Sequence, residues 1–231
     1  AINFEDQKKE LAIQTGAIII SPGCEVFDPK VYNVYGYQRS PNIVTSLEFE
    51  RMLSASGPLG GHLVRASDKK EPKKIAWIQC VGSRDVHEGA KTYCSAVCCT
   101  YAIKEAVVAK EHAKGGLDTA IFYIDMRTFG KDFERYYNRA REEAGVRFIK
   151  SRITQILPMS ETGDLLIRYT DEAQKRIEET FDLVVLSVGI GVSKEAVDLA
   201  NRLDIHLDPY CFTTTSSFEP VSTSKPGIFT S

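Results

Sequence analysis

The chain has 231 residues, of which 43% are hydrophobic and 26% are charged, and its formal net charge is −2. This balance is ordinary for a soluble globular protein and argues against nucleic acid or an anionic membrane as a partner. The sequence shows neither a signal peptide nor an apolar run of the roughly 18 residues that a membrane span needs. Six cysteines are too few for a disulfide scaffold, so we expect reduced thiols and a cytoplasmic location.

The first part of the chain combines short elements with loops. Residues 16–23 are an apolar run that ends in Ser-Pro-Gly, which predicts a buried strand followed by a tight turn. Residues 45–53 predict a short helix, because Thr45 is followed three positions later by a glutamate, as in a capping box. The charged stretch 68–74 predicts an exposed hinge, and we place a domain boundary there.

From residue 74 onward, apolar strands and helices alternate. We predict strands at 75–79, 120–125 and 146–153, and helices at about 95–114 and 131–144. Such alternation favours parallel pairing of the strands. The pattern then predicts an antiparallel meander with strands at 153–157, 165–169 and 175–179. The last predicted elements are a buried strand at 181–189 and a short helix at 194–203.

Four of the six cysteines lie where the strand at 75–79 meets the next helix: Cys80, Cys94, Cys98 and Cys99. In a strand–loop–helix unit, this junction is where nucleotide-binding folds hold their ligand. Thiolates are the ligands of iron–sulfur clusters, and four of them complete the protein shell of a cubane. The spacing, with 13 residues, then three, then none between successive cysteines, differs from the ferredoxin pattern.

These four cysteines meet only under a geometric condition. On an ideal helix Cys94 and Cys98 share a face, whereas Cys99 is turned away. All four converge if the helix begins near Cys98 or if the loop at 80–94 folds back, and a helix N-terminus there would stabilise thiolates. The spacing alone leaves four interpretations open, namely an iron–sulfur cluster, a structural zinc site, a redox-active disulfide and buried free cysteines.

Residues around the cysteines allow further expectations. Arg84 and Lys91 are candidates to offset the negative charge of a cluster. Of the glycines that a dinucleotide fingerprint requires after the strand at 75–79, only Gly82 is present, so we expect no tight binding of NAD(P). We interpret Asp125, at the end of the next strand, as a turn residue or a ribose ligand. The two remaining cysteines, Cys24 and Cys211, we interpret as ordinary residues.

The order of elements resembles the two-dinucleotide-domain flavoproteins of the thioredoxin-reductase type. It has two strands that end in glycine, a βαβαβ unit, a three-strand meander and a closing Lys-Pro-Gly-Ile-Phe segment at 225–229. The resemblance implies an α/β fold in which a Rossmann-like nicotinamide-type domain, carrying an antiparallel meander, is flanked by parts of an FAD domain. It implies a partial FAD-binding domain at 1–72, an NAD(P)-type Rossmann domain with the cysteines at 73–190, and a return to the FAD domain at 191–231.

Four segments make the resemblance more specific: Gln79–Asp85, Tyr93–Cys99, Ile121–Arg127 and Phe181–Gly189. Together they resemble the A subunit of heterodisulfide reductase, an iron–sulfur flavoprotein, and next to it the A subunit of quinone-interacting oxidoreductase. The family's FAD-binding glycine motif would precede residue 1. We therefore expect a middle fragment of such a protein, which binds FAD weakly or not at all.

The function that the resemblance implies is electron transfer between a [4Fe-4S] cluster and the FAD of the intact protein. The same resemblance implies the ligands of that cluster, which are Cys80, Cys94, Cys98 and Cys99. The partners would be the other subunits of an oxidoreductase complex, a homodimer is left open, and the isolated fragment is expected to be inactive. Competing hypotheses are a zinc-bound or metal-free interaction module that retains the reductase fold, and an NAD(P)H-dependent flavin reductase with a degenerate nucleotide loop.

Lys104 is the candidate catalytic residue. It lies on the helix after the cysteines, where Tyr101, Val107 and Val108 three or four positions away place its stem on a largely apolar face, and from there it could reach a reduced flavin or the cluster. The alternative is that its side chain extends to solvent. The candidate cofactor contacts occupy positions that line FAD in such flavoproteins or that belong to the nucleotide loop. They are Gly23, Ser46, Gly82, Gly189, Pro226 and Gly227.

Overall fold

The computed structural model describes residues 3–31 and 34–230. The helices are α1 (Ser46–Leu53), α2 (Cys98–His112), α3 (Phe133–Glu142) and α4 (Lys194–Arg202). The strands up to the cysteine loop are β1 (Ile18–Ile20), β2 (Glu25–Val26), β3 (Ile43–Thr45) and β4 (Lys74–Val81). The later strands are β5 (Asp118–Tyr123), β6 (Arg147–Lys150), β7 (Ile156–Pro158), β8 (Leu165–Thr170), β9 (Arg176–Phe181), β10 (Leu183–Val188), β11 (Ile190–Gly191) and β12 (Ile228–Thr230).

The main sheet has five strands in the order β3-β10-β4-β5-β6, and every neighbouring pair is parallel. This confirms the parallel pairing that the apolar runs predicted. β10 is buried along its whole length, as expected for a strand that is covered on both faces. The carboxyl ends of the parallel strands therefore gather at one edge of the sheet, where the cysteine loop begins.

Two apolar layers cover the sheet. On one face, α1, α2 and α3 pack over Trp77, whose ring lies edge-on to Phe49 at a centroid distance of 5.4 Å. On the other face, the meander β7-β8-β9 packs over Phe122, which contacts Phe181 at 5.8 Å. The meander is antiparallel, as predicted. Each fully buried aromatic side chain contributes about 1.5–3 kcal/mol to folding.

Helix α1 begins with the capping box that the sequence predicted. The backbone nitrogen of Glu48 donates to Thr45 Oγ1 over 3.3 Å, and the backbone nitrogen of Thr45 donates to Glu48 Oε2 over 2.7 Å. Two of the backbone donors at the helix start are thereby satisfied. This cap fixes α1 directly at the end of β3, beside the carboxyl edge of the main sheet.

The chain divides into two compact units, one from Val26 to Gly191 and the other formed by the segments up to Glu25 and from Val192 onward. Residues 26–72 thus group with the cysteine-bearing unit. The expected division at 1–72, 73–190 and 191–231 assigns functions to these segments and stays a prediction, and its outermost residues, 1–2 and 231, lie outside the described part.

One local prediction is wrong. The apolar run at 16–23 was expected to form a buried strand, but β1 is largely exposed and Ile19 is 73% accessible to solvent. The reason is that β1 pairs with β12 alone in a two-stranded sheet within the described residues. A single pair of strands offers too little covering surface to bury an isoleucine.

None of the helices in the described part of the chain has the length and apolar character needed to span a membrane.

Candidate cluster site at the start of helix α2

Cys80 lies at an irregularity in the central strand. On β4, Gln79 and Cys80 together oppose the single residue Ser187 of β10, which is the arrangement of a β-bulge. Cys80 itself has a positive φ of 63°, a backbone conformation that few residues other than glycine adopt. Bulges re-aim side chains near functional sites, and this one turns Cys80 toward the start of α2.

Helix α2 begins at Cys98, which is one of the two conditions under which the cysteines converge. Its N-cap residue, Val97, makes no side-chain capping hydrogen bond, and its first turn has no acidic residue. The first backbone N–H groups of an α-helix have no partner within the helix, and they carry a partial positive charge. The thiols of Cys98 and Cys99 therefore stand at an uncapped, positive helix end.

The loop that connects the strand to the helix also folds back, which is the second condition. The Lys91 backbone nitrogen donates to the Gly82 carbonyl over 2.9 Å, and that of Arg84 donates to the Tyr93 carbonyl over 3.1 Å. These bonds return the chain to the end of β4 just before Cys94. The sulfur of Cys94 accepts a hydrogen bond from the backbone nitrogen of Ala96 over 3.3 Å.

The four predicted cysteines line one small pocket. Cys98 and Cys99 are buried, whereas Cys80 and Cys94 are partly exposed, and all four are free thiols. The other residues around the pocket are Ser83, Arg84, Ser95, Ala96, Asp125 and Arg127. The structure thus brings all four predicted ligands together from a strand end, a loop and a helix start.

Burial makes unpaired thiolates unfavourable in this pocket. Loss of solvent raises the pKa of Cys98 to about 12 and that of Cys99 to about 11, and it also raises the pKa of Cys80. Near neutral pH these thiols are therefore protonated unless positive charge compensates them. Metal ions supply such charge, because coordination deprotonates a thiol.

Two arginines supply fixed positive charge at the rim. Arg84 interacts with Cys80, and Arg127 interacts with Cys94. Both guanidinium groups are also bound to one carboxylate, that of Asp125. The predicted residue Arg84 is thus in place, whereas Lys91 is not among the residues that line the pocket.

The donor set fits an iron–sulfur cluster. Four thiols of one chain are the usual protein shell of a cubane, and the positive helix end and arginines suit its negative charge. Across residues 3–31 and 34–230, no three His, Cys, Asp or Glu side chains are arranged to hold a single metal ion. A zinc ion needs its donors within about 2.0–2.3 Å of one centre, whereas a cluster distributes its thiolates over several irons, so they stand further apart.

The glycines predicted as cofactor contacts allow close packing around the loop. A Cβ at Gly82 would lie 2.0 Å from the ring of Phe27, and a Cβ at Gly189 would lie 2.0 Å from Ser83 Oγ. Ser83 is itself within 2.6 Å of Ser95 Oγ, which accepts a hydrogen bond from the backbone that follows β10. These contacts hold the cysteine loop against the sheet, and contact with a cofactor stays a prediction for both glycines.

The other predicted contacts lie apart from this pocket. Ser46 is the buried first residue of α1, and its side chain interacts with the hydroxyl of Tyr101. Gly23, Pro226 and Gly227 belong to the smaller unit, where the Gly227 carbonyl accepts a 2.9 Å hydrogen bond from the chain at the start of β1. The pocket and these three residues thus belong to different units, and their role in binding FAD stays a prediction.

Lys104 forms an ion pair with Glu50 and is not among the residues that line the thiol pocket. Its Nζ lies 2.7 Å and 2.8 Å from the two carboxylate oxygens of Glu50, and its side chain is 52% exposed. It lines an apolar groove of about 480 Å³ together with Phe129, Phe133 and Tyr136, and this groove shares Ala96 with the thiol pocket. The lysine thus makes a solvent-accessible ion pair, and a catalytic role for it stays a prediction.

Two features of the site were not found from the sequence. Arg127 lies in a segment quoted for its resemblance, but nothing in its local pattern indicates that it faces Cys94 across the sheet edge. Glu105, two turns along α2 from the first cysteine, is fully buried and accepts a 2.7 Å hydrogen bond from the indole of Trp77. An acidic residue among the alanines and valines of an apolar helix face was the available signal.

No family model matches this chain. It is 40% identical to the iron-sulfur A subunit of the CoB–CoM heterodisulfide reductase of Methanocaldococcus jannaschii and 42% identical to the second such protein of Methanopyrus kandleri. It is also 41% identical to the A subunit of the H₂/formate:CoB–CoM heterodisulfide,ferredoxin reductase of Methanococcus maripaludis. Each match covers 99% of this chain but 35% of the relative, so the chain spans about a third of these relatives' length.

Thioredoxin reductases are among the solved structures that share this fold. The enzyme of Thermoplasma acidophilum superposes with a TM-score of 0.53 at 12% identity, covering 93% of this chain and 56% of that enzyme. The Lactococcus lactis enzyme gives 0.52 at 15% identity with the same coverage. At such low identity the likeness establishes the fold alone, and it confirms the predicted α/β fold of the thioredoxin-reductase type.

Proposed function

Because nearly the whole chain matches a segment of heterodisulfide reductase A subunits, as its motifs predicted, we propose that it is the electron-transferring part of such an iron–sulfur flavoprotein. Cys80, Cys94, Cys98 and Cys99 would hold a [4Fe-4S] cluster. When bound, the cluster would supply one-electron redox chemistry, and it would exchange electrons with the FAD of the intact protein. The chain would thus belong to an oxidoreductase, and electron transfer onward would require the rest of the complex.

The observation that carries this proposal is the convergence of four cysteines in one pocket. They come from the end of β4, from the loop and from the first turn of α2, so no local motif places them together. Four thiols that line one pocket are the donor set that an iron–sulfur cubane uses. A cluster would use these thiols and also the positive helix end and the arginine rim.

The chain's own residues would prepare this site in three ways. The bulge at Cys80 and the helix start at Cys98 fix thiols on rigid elements, which lowers the entropy that binding must remove. Arg84 and Arg127 favour the added negative charge of the reduced state. The packing of Phe27 against the buried Gly82 holds the start of the loop in place.

Partners and location follow from the same proposal. The relatives are named as subunits of reductases, so we propose that this chain works beside other subunits, including the one that carries out disulfide chemistry. Six free cysteines suit a reducing compartment, so we propose the cytoplasm.

An NAD(P)-dependent reductase is the second candidate, because the parallel sheet and the position of the loop are those of a nucleotide-binding domain. The glycine that remains in this loop, Gly82, is covered by Phe27 and is not free to approach a pyrophosphate. A close backbone approach is what the dinucleotide fingerprint requires. The loop geometry therefore favours the cluster.

The test is the iron, sulfide and zinc content of protein purified without oxygen. We expect about four irons and four sulfides per chain, with visible absorption that bleaches on reduction. Cys98→Ser should lose most of this iron, whereas the control Cys211→Ser, at an exposed cysteine outside the pocket, should keep it. One zinc per chain, or iron that Cys98→Ser leaves unchanged, would contradict the proposal. The same assay on the full-length protein shows whether a missing cluster means only that the isolated segment cannot assemble the site.

A further inference from the structure

Near the C-terminal end of strand β4, the side chains stop alternating regularly between the two faces of the sheet. In a regular strand, side chains alternate between the two faces of the sheet. Ala76 and Ile78 follow this rule and pack in the core under the meander. Val81 packs in the same core, although it is three positions from Ile78 and regular alternation would place it on the opposite face.

The extra residue belongs to β4 and not to its neighbour. On β10, Val184, Leu186 and Val188 all pack in the core under the meander, in strict alternation. The irregularity therefore lies entirely in β4, where Gln79 and Cys80 together oppose one residue of β10. Beyond the bulge the two strands resume pairing, since the Gly189 backbone nitrogen donates to the carbonyl at the end of β4 over 2.8 Å.

A polar side-chain pair spans the bulge. Gln79 Nε2 donates to Ser187 Oγ over 3.0 Å, and these residues are 5% and 0% exposed. Such groups are buried only at a cost unless they are hydrogen-bonded. Their bond runs between the two strands where the backbone ladder is interrupted, so it joins β4 to β10 at the one place where regular pairing does not.

Without the bulge, Cys80 would face elsewhere. Regular alternation would place Cys80 on the same face as Ile78, in the core under the meander, because the two are two positions apart. Helix α2 and its two thiols lie over the opposite face, which carries Trp77. The bulge is therefore what allows Cys80 to join the cysteines of α2 in one pocket.

We infer that Gln79 and Ser187 are positioning residues, which hold the bulge of β4 and thereby aim Cys80 into the thiol pocket. This inference rests on the proposed cluster function and deepens it. Neither residue lines the pocket, so their effect is exerted through Cys80. The pair would decide whether the site has four thiol ligands or three.

The first test uses three variants: Gln79→Met, Ser187→Ala and the double variant. Methionine keeps the length of glutamine without its amide, and the double variant leaves no member of the pair unsatisfied, so it should fold best. In oxygen-free protein we expect at least a twofold loss of iron and an altered electron paramagnetic resonance signal, as in Cys80→Ser. The conservative variant Ser187→Thr keeps the acceptor and should retain both iron and signal.

Thr119→Val is the matched control, because it removes a fully buried hydroxyl from the neighbouring strand β5, away from the pocket. It should keep the wild-type iron content and signal. If the double variant is folded by circular dichroism and also keeps both, the inference is overturned. If Thr119→Val loses as much iron as the double variant, the effect is general to the sheet and the inference is likewise overturned.

A second readout needs no metal. In cluster-free protein the oxidant diamide takes two electrons and two protons from a pair of thiols, which join as a disulfide. We expect Cys80 to couple to another pocket cysteine in the wild type, and several-fold less in the double variant, as mapped by mass spectrometry. Equal coupling in both proteins would overturn the inference. This readout does not depend on iron. If the wild type binds no cluster, the proposed function is contradicted, and the disulfide mapping still tests the role of Gln79 and Ser187.

Discussion

Arg127 binds Asp125 through two guanidinium nitrogens, with Nη2 3.1 Å from Oδ2 and Nε 3.2 Å from Oδ1. The same carboxylate is also bound by Arg84, which lines the pocket as well. Two cations thus share one anion at the rim, and the charged groups sum to one positive charge beside the thiols. The arginines lower the pKa of Asp125, so that its negative charge is kept.

This rim predicts how substitutions shift the reduction potential of a bound cluster. Asp125→Asn removes negative charge and should raise the potential, whereas Arg84→Gln removes positive charge and should lower it. Each shift should be on the order of tens of millivolts, since about 59 mV corresponds to a tenfold change for one electron. An anaerobic redox titration measures both. Arg168→Gln, on the meander, is the control and should leave the potential unchanged; shifts of the same sign in both rim variants would contradict the prediction.

Glu105 predicts an unusual dependence of stability on pH. Burial raises its pKa to about 8 in the folded protein, well above that of an exposed glutamate. Between the pKa of Glu105 in the unfolded chain and its pKa in the folded protein, only the folded state holds the proton. The contribution of Glu105 to the free energy of unfolding is therefore largest at low pH and falls as pH rises toward 8. The slope is up to about 1.4 kcal/mol per pH unit.

The measurement is urea unfolding at pH 5, 6, 7 and 8, followed by the fluorescence of the single tryptophan, Trp77, which is the hydrogen-bond partner of Glu105. Glu105→Gln should make the pH dependence flatter, because it keeps the hydrogen-bond acceptor and removes the titration. An unchanged slope in this variant would assign the pH dependence to another group.

Gly82→Ala should weaken the cysteine loop. An added methyl group would overlap the Phe27 ring, and the backbone at Gly82 has a φ of 74°. We expect a loss of about 1–3 kcal/mol in the free energy of unfolding and a reduced iron content. Gly115→Ala is the matched control, since no atom lies within 4 Å of the position that its methyl group would take, and it should be close to neutral. Equal effects in the two variants would refute the packing argument.

Lys104→Met separates a catalytic role from a structural one. The ion pair with Glu50 is half-exposed and contributes roughly 0–1 kcal/mol, so the variant should fold with unchanged iron. Glu50→Gln should behave in the same way. If Lys104→Met in the full-length protein slows reduction of the flavin while Glu50→Gln does not, the lysine acts on the cofactor. Loss of iron from Lys104→Met would show that it supports the cysteine pocket.

The regular part of the fold was predictable because its signals are local. The run at 181–189 is apolar enough to require burial on both faces, and Thr45 with the glutamate after it marks a helix start. The exposed strand β1 shows the limit of this reasoning. Burial of Ile19 depends on what packs over it, and that information is not contained in the run itself.

The sequence indicated which four cysteines meet in the pocket, but it did not indicate the contacts that support them. Cys80, Cys94 and the cysteine pair could be connected by resemblance, and their convergence was stated as a condition on where the helix begins. The bulge opposite Ser187 and the contact of Arg127 with Cys94 arise from pairing between segments about 30 to 100 residues apart along the chain. The residue pattern within one segment does not indicate which residues of distant segments will contact it.

If the proposed cluster binds at the uncapped start of α2, iron supply would influence the lifetime of the protein. A negatively charged cluster at Cys98 and Cys99 would provide the compensation that no side chain of the first turn provides. Whatever binds only the folded form shifts the folding equilibrium by mass action. We therefore expect the first turn to exchange its amide hydrogens more slowly once iron is bound. In an iron-starved cell the same turn would open more often, and the chain would be degraded by proteases more quickly.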